Sequence, residues 1–264
     1  MIYIGSSMTA GYRPRAEPYF ASLAEALDPS ACQFFFIGLD FNPFRIFSEY
    51  GLEGYVESYY LATNKLHDPS NTIIQHGDFL NINKQWKDDD YVLWTDCDAF
   101  FQRPLDSLDR QHFQKTQFCC GVLPNKGEDC LSCEFARIGG QGDAKEAIEQ
   151  LGFDPRLALL PTLNTGCVGA TVNSWALMQE EYNKRSQEIK SIASHYARQQ
   201  FLMSLIVYST RGLSLMPKYT HCDGHYNLPE DIVERDGTFI YENGTISVPA
   251  YFCHGGQAMK YAYK

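Results

Sequence analysis

The sequence predicts an α/β fold with a mostly parallel central sheet flanked by helices, and three observations carry that expectation. Tyr91-Val92-Leu93-Trp94-Thr95 is a short, continuous run of β formers, the kind of strand buried on both faces of a parallel sheet. The chain opens as strand, loop, helix, strand: Met1–Gly5, a small polar loop from Ser6 to Tyr12, helical spacing of apolar residues over Tyr19–Leu27, and a second strand over Cys32–Leu39. With 264 residues the chain is long enough for one such domain to bury a sizeable core.

The Tyr91–Thr95 strand runs straight into Asp96-Cys97-Asp98, with apolar Ala99-Phe100-Phe101 beyond. Ligands of open α/β sheets bind where such strands end. Two carboxylates leaving that edge together repel each other and lose water, so a cation belongs between them. Carboxylate oxygens suit hard divalent ions, which complete their shell with phosphate oxygens from a substrate. A solvated turn would not need apolar residues on both sides.

The block Asp90–Asp98, followed by Pro104-Leu105, resembles the metal-binding motif of GT-A glycosyltransferases, and most closely that of the glycogenin and lipopolysaccharide galactosyltransferase group. The resemblance implies one Rossmann-like GT-A domain over 1–264. Residues 1–98 would form the nucleotide-sugar-binding half, and 99–264 the acceptor-binding half with a C-terminal closing segment. It also implies that Asp96 and Asp98 hold Mn²⁺ (or Mg²⁺) against the diphosphate of a nucleotide sugar, a UDP-sugar. The sugar would pass, with retention, to a glycan or other hydroxyl acceptor.

Composition narrows the partners. A formal net charge of −10 repels nucleic acid and anionic lipid, so neither is an expected partner. No apolar run reaches membrane-spanning length, and Met1–Gly5 lacks the features of a signal peptide, so a cytoplasmic protein is expected. Nine cysteines scattered among apolar stretches read as buried thiols rather than disulfides.

Along the chain, no Gly-x-Gly-x-x-Gly follows the first strand, which argues against a dinucleotide fold. By position in the family, Ser6, Tyr12 and Asp40 would contact the nucleoside. Phe41–Phe44 reads as a turn and Thr72–Gln75 as a strand; Arg45 or Lys65 are cations within reach of a diphosphate. Phe118–Leu123 reads as a strand, and the polar, Gly-rich stretch Pro124–Gly142 as a mobile loop over the acceptor. Cys119, Cys120, Cys130 and Cys133 are thiols able to ligate zinc, but their spacing fits no standard site and neighbours on a strand face opposite ways. Asp143–Leu151 reads as a helix capped by Asp143, with Gly152 past its end. Leu163–Val172 reads as a turn entering a strand, with Asn173 or Ser174 capping a helix from near Trp175. It resembles the family's Asn-x-Gly block, in which Asn164 would line the acceptor side of the sugar; Gly166 permits close backbone approach.

Ile189–Thr210 reads as one long helix, Leu213–Met216 as a strand and His221-Cys222-Asp223 as a loop. Where the family has an Asp-Gln pair at that helix, this chain has Gln199-Gln200, leaving Gln200 as the matching residue. The tail Val248–Lys260 resembles the family's closing His-x-x-Gly-x-x-Lys segment. His254 would be the third metal ligand and Lys260 a diphosphate contact. Glycine falls at 255 and 256, with Gln257 at the family's glycine position; Gly256 is the nearest candidate for backbone contact with the donor. Two alternatives differ in class. A phosphatase also uses Asp-x-Asp after a strand, but continues it differently and nearer the N-terminus. A sugar- or nucleotide-binding protein without turnover would keep the metal site and tolerate Gln199.

Overall fold

A computed structural model describes residues 1–62, 77–113, 117–122, 130–193, 198–210, 212–224, 228–256 and 259–260. Thr72–Gln75, Lys65 and Gln257 lie outside these residues. The chain forms strands β1 (Ile2–Thr9), β2 (Gln33–Leu39), β3 (Val56–Leu61), β4 (Tyr91–Thr95), β5 (Ala99–Phe101), β6 (Phe118–Val122), β7 (Leu163–Thr171), β8 (Leu213–Leu215) and β9 (His221–Asp223). Four short strands follow: β10 (Ile232–Arg235), β11 (Thr238–Glu242), β12 (Ser247–Pro249) and β13 (Phe252–His254).

The central sheet has seven strands in the order β3-β2-β1-β4-β7-β6-β8. The first four run parallel; β7 is antiparallel to both β4 and β6, and β8 is parallel to β6. The mostly parallel α/β expectation holds. Every residue of β4 is buried, and its side chains alternate between two cores. Val92 and Trp94 join one, packed by α4 (Leu131–Arg137), α5 (Ala144–Gln150), α6 (Val172–Ile192) and α7 (Arg198–Ser209). Tyr91 and Leu93 join the other, under α1 (Arg13–Ala26) and α2 (Phe44–Glu49). The continuous apolar run is therefore explained by helices covering both faces.

Several boundaries differ from the sequence reading. β1 does not stop at Gly5: Ser6 and Ser7 are buried within the strand, and Ser6 Oγ donates to the Thr95 carbonyl at 2.7 Å. A small polar side chain is tolerated in a central strand when its hydroxyl finds a backbone partner next door. α1 begins at Arg13, ahead of the apolar spacing, with Pro14 in its first turn. The expected loop Pro124–Gly142 contains α4, whose Leu131 and Phe135, four residues apart, are both buried. The expected helix Ile189–Thr210 is two helices: α6 ends at Ile192, where Ala193 turns extended and bridges Gly140, and α7 begins at Arg198. Thr171, not Asn173 or Ser174, caps α6, its hydroxyl accepting from the Ser174 N–H at 3.2 Å. Asp143 caps α5 as expected, accepting from the Lys145 and Glu146 N–H groups.

Two small sheets lie beside the main one. β10-β11-β12 is an antiparallel meander. In β5-β13-β9 the central β13 runs antiparallel to β5 and parallel to β9, so His221–Asp223 is a buried strand rather than a loop. A short helix, α3 (Ser107–Phe113), follows Pro104. No helix among the described residues is long and apolar enough to cross a membrane.

Beneath β4, Phe79 stacks on Trp94 with centroids 5.8 Å apart and meets Trp175 edge-on at 5.6 Å. Phe79→Ala should therefore destabilise the fold by about 3–5 kcal/mol, read as a lower urea midpoint at unchanged slope. A loss under about 1 kcal/mol would show that this layer does not support β4.

Candidate active site

The site begins where β4 ends. Asp96 is anchored by its own N–H, which donates to the Gly166 carbonyl of β7 at 2.8 Å. Cys97 turns inward and is buried, so Asp96 and Asp98 emerge on the same side, each about a third exposed or less. Ala99 then enters β5, and the β5–β13 register sets Ala99 opposite His254. This pairing brings the C-terminal histidine to the two carboxylates. His254 Nε2 lies 3.5 Å from Asp96 Oδ2 and 3.4 Å from Asp98 Oδ1.

The ring is buried and closely seated. It lies nearly parallel to the His221 ring at 5.8 Å, and a Cβ at Gly166 would collide with it. Gly166 is thus the floor for the imidazole. Immediately after His254, Gly255 adopts φ +93°, a left-handed turn that glycine makes without strain. Gly256, by contrast, is exposed, and a Cβ there would meet nothing within 4 Å.

The electrostatics follow from this packing. Burial alone would lower the His254 pKa. The hydrogen bond with Asp98 and the charges of Asp98, Asp96 and Asp223 outweigh it and raise the pKa to about 9. Burial alone would raise that of Asp98. Its contact with His254, together with the Tyr12 hydroxyl donating to Oδ2 at 2.8 Å, instead holds the carboxyl well below its usual range. The ring can thus carry the proton that balances the carboxylate pair. With the ring neutral, the same atoms form an O, O, N donor set. One ligand atom from each of Asp96, Asp98 and His254 lies within 4.8 Å of the others, close enough for the three to hold one divalent ion. Among the described residues no other group of three ligating side chains comes so close. Cys119 and Cys120 point into opposite cores, so they and Cys130 and Cys133 do not gather as a zinc site.

The other candidates fall into two groups. Tyr12 stands at the start of α1 and touches Asp98, so it belongs to the site through that carboxylate. Asn164 is buried in β7; its Oδ1 accepts from the Gly166 N–H at 2.6 Å and its Nδ2 donates to Asp223. Gln200 Oε1 accepts from the Thr165 N–H at 3.5 Å and hydroxyl at 3.3 Å, and its Nε2 donates to Glu134 at 3.4 Å. Both therefore adjoin the Leu163–Gly166 edge of β7. Ser6 is spent on the β1–β4 pair and lies inside the sheet. Asp40 is exposed just past β2, with φ +60°, its N–H bonded to the Leu61 carbonyl. Lys260 and Arg45 are exposed.

Asp223 was not singled out in the sequence. The β9–β13 register sets it opposite His254, and its buried carboxylate accepts from Asn164. Its only signal was another aspartate following a two-residue hydrophobic or aromatic alternation, too short to separate from a loop.

No family model matches this chain, and no curated protein matches it. Solved structures do resemble it. The galactosyltransferase LgtC, in complex with donor and acceptor sugar analogs, superposes with a TM-score of 0.52 at 11% identity, covering 96% of this chain and 86% of that one. Mouse xyloside xylosyltransferase 1 gives 0.53 at 9% identity, covering 84% and 87%. The bifunctional glycosyltransferase WbbM gives 0.57 at 11%, covering 86% of this chain but 40% of that chain. The fold is that of the GT-A glycosyltransferases.

Gly166→Ala tests whether the floor matters. The added methyl should displace His254 and weaken Mn²⁺ binding by about tenfold or more, read by calorimetry. Unaltered affinity would mean the imidazole is not held for a metal.

Proposed function

We propose that this protein is a metal-dependent glycosyltransferase. It moves a sugar from a nucleotide-diphosphate donor, a UDP-sugar, to a hydroxyl of a glycan or other acceptor, with retention. The observation that carries the reading is the convergence of Asp96, Asp98 and His254 at the end of β4, in a fold shared with glycosyltransferases. Asp96, Asp98 and His254 would hold Mn²⁺ or Mg²⁺. Such an ion, when bound, supplies positive charge against the leaving diphosphate.

The chain's own residues then have distinct roles. Tyr12 fixes the rotamer of Asp98 by its hydroxyl. The Gly166 carbonyl fixes Asp96 through its backbone. Asn164, held by Asp223, keeps the Gly166 segment of β7 in place beneath His254. Lys260 would add a second positive contact to the diphosphate, while Tyr12, Asp40 and the Gly256 backbone would flank the donor; Ser6, buried in the sheet, would act only by tying β1 to β4. Gln200 and Thr165 would face the acceptor. In this assignment residues 1–98 serve the donor and 99–264 the acceptor and the closing segment.

A second reading, binding without turnover, has one observation in its favour. Gln199, where related enzymes carry aspartate, is buried, with its amide 3.7 Å from Met203 Sδ. Release of free UDP from a panel of UDP-sugars, with Mn²⁺ and with chelator, separates the two. The transferase reading expects metal-dependent release that rises with a glycan acceptor; tight binding with no release would establish the second.

Asp98→Ala should abolish Mn²⁺-dependent binding of the nucleotide sugar; because it also removes a partner of the buried His254 ring, it should lower stability by about 1–3 kcal/mol while circular dichroism shows the fold retained. Equal affinity in that variant, with and without chelator, would remove the metal from the reading.

A further inference from the structure

Of the nine cysteines, seven are buried, and burial pushes the thiols of Cys32, Cys97, Cys119, Cys120, Cys167 and Cys253 above their ordinary range. Such thiols are inert packing groups. Cys130 and Cys133 differ on every count. Cys133 is exposed and Cys130 partly so, and their sulfurs lie 3.3 Å apart across the first turn of α4. Cys130 is the extended cap rather than a helical residue, and its sulfur already faces that of Cys133, so the two must close from 3.3 Å to the roughly 2 Å of an S–S bond. Bond formation then needs only rotation about the side-chain torsions.

The surroundings favour this. Cys130 caps α4 in extended conformation, and its backbone bridges Pro161, while the Leu131 N–H donates to the Leu160 carbonyl at 2.8 Å. The cap is anchored from both sides, so one sulfur stays fixed while the other closes on it. Burial opposes the Cys130 thiolate and is the largest single influence on it. The N–H groups of Cys133 and Ser132 and the Cys133 thiol more than offset that and bring its pKa below the ordinary cysteine value.

We infer that Cys130 and Cys133 form a reversible dithiol–disulfide site whose substrate is a small-molecule disulfide. The thiolate of Cys130 attacks one sulfur of that disulfide, breaking its S–S bond and releasing one small thiolate. Cys133, deprotonated, then attacks Cys130 Sγ, forms the intramolecular bond and expels the second thiolate. Two protein thiols are oxidised, one small disulfide is reduced to two thiols, and the two protons end on the leaving groups. The site also has a route to the rest of the molecule. Glu134, within the same turn, is bonded to Arg137 and to Gln200, and Gln200 to Thr165 on the edge of β7.

The test equilibrates the full chain in mixtures of reduced and oxidised glutathione, quenches with an alkylating agent and reads each cysteine by peptide mass. As the oxidised fraction rises, Cys130 and Cys133 should lose alkylation together, with no glutathione added, while the seven buried cysteines are alkylated after denaturation throughout. Cys133→Ser should trap glutathione on Cys130. Two thiols that stay alkylatable at every ratio, or that each carry a separate glutathione, overturn the site. A Cys133→Ser chain without the adduct overturns Cys130 as the attacking thiol.

Discussion

Two aspartates at the end of a buried strand present a charge problem, and the rest of the active edge is arranged around it. Asp96 and Asp98 are close enough to repel, and neither is fully solvated. The compensating group is His254, whose ring carries a proton readily because both carboxylates face it. Holding a buried cationic ring is costly unless its surroundings are shaped and paired. Gly166 leaves room for the ring, His221 lies beside it, and the Asn164–Asp223 pair fastens the strand that carries Gly166. Each of these choices is local, and each follows from the same pair of negative charges.

Sequence reasoning reached the parts of this arrangement that rest on strong local chemistry. The buried run of β4 and the Asp-x-Asp after it were plain because continuous β formers and paired carboxylates are rare together. The Asp143 cap was plain because a cap is decided within three residues. Pairing of His254 with the aspartates was legible only through resemblance, since nothing local ties residue 254 to residue 96.

What escaped was decided at a distance. β1 read as stopping at Gly5 because Ser6 and Ser7 look like loop residues; they stay in the strand because the Thr95 carbonyl next door accepts the Ser6 hydroxyl. α4 was hidden in a Gly-rich stretch because its short apolar face, Leu131 and Phe135, is helical only once α7 is there to pack against it. The break between α6 and α7 has no proline or glycine to announce it; it is fixed by the bridge from Ala193 to Gly140. Asp223 was missed for the same reason, since a three-residue strand exists only through the partner it pairs with.

The strand order β5-β13-β9 has a consequence for biosynthesis. β13 lies between the other two, so residues 99–101 and 221–223 have no edge in common and cannot pair until residues 252–254 arrive. During translation the aspartates leave the ribosome long before their histidine. The nascent chain therefore carries an unbalanced acidic edge. The Asp96–Asp98–His254 cluster is completed late and all at once, when β13 slides into a slot that its two neighbours have left between them.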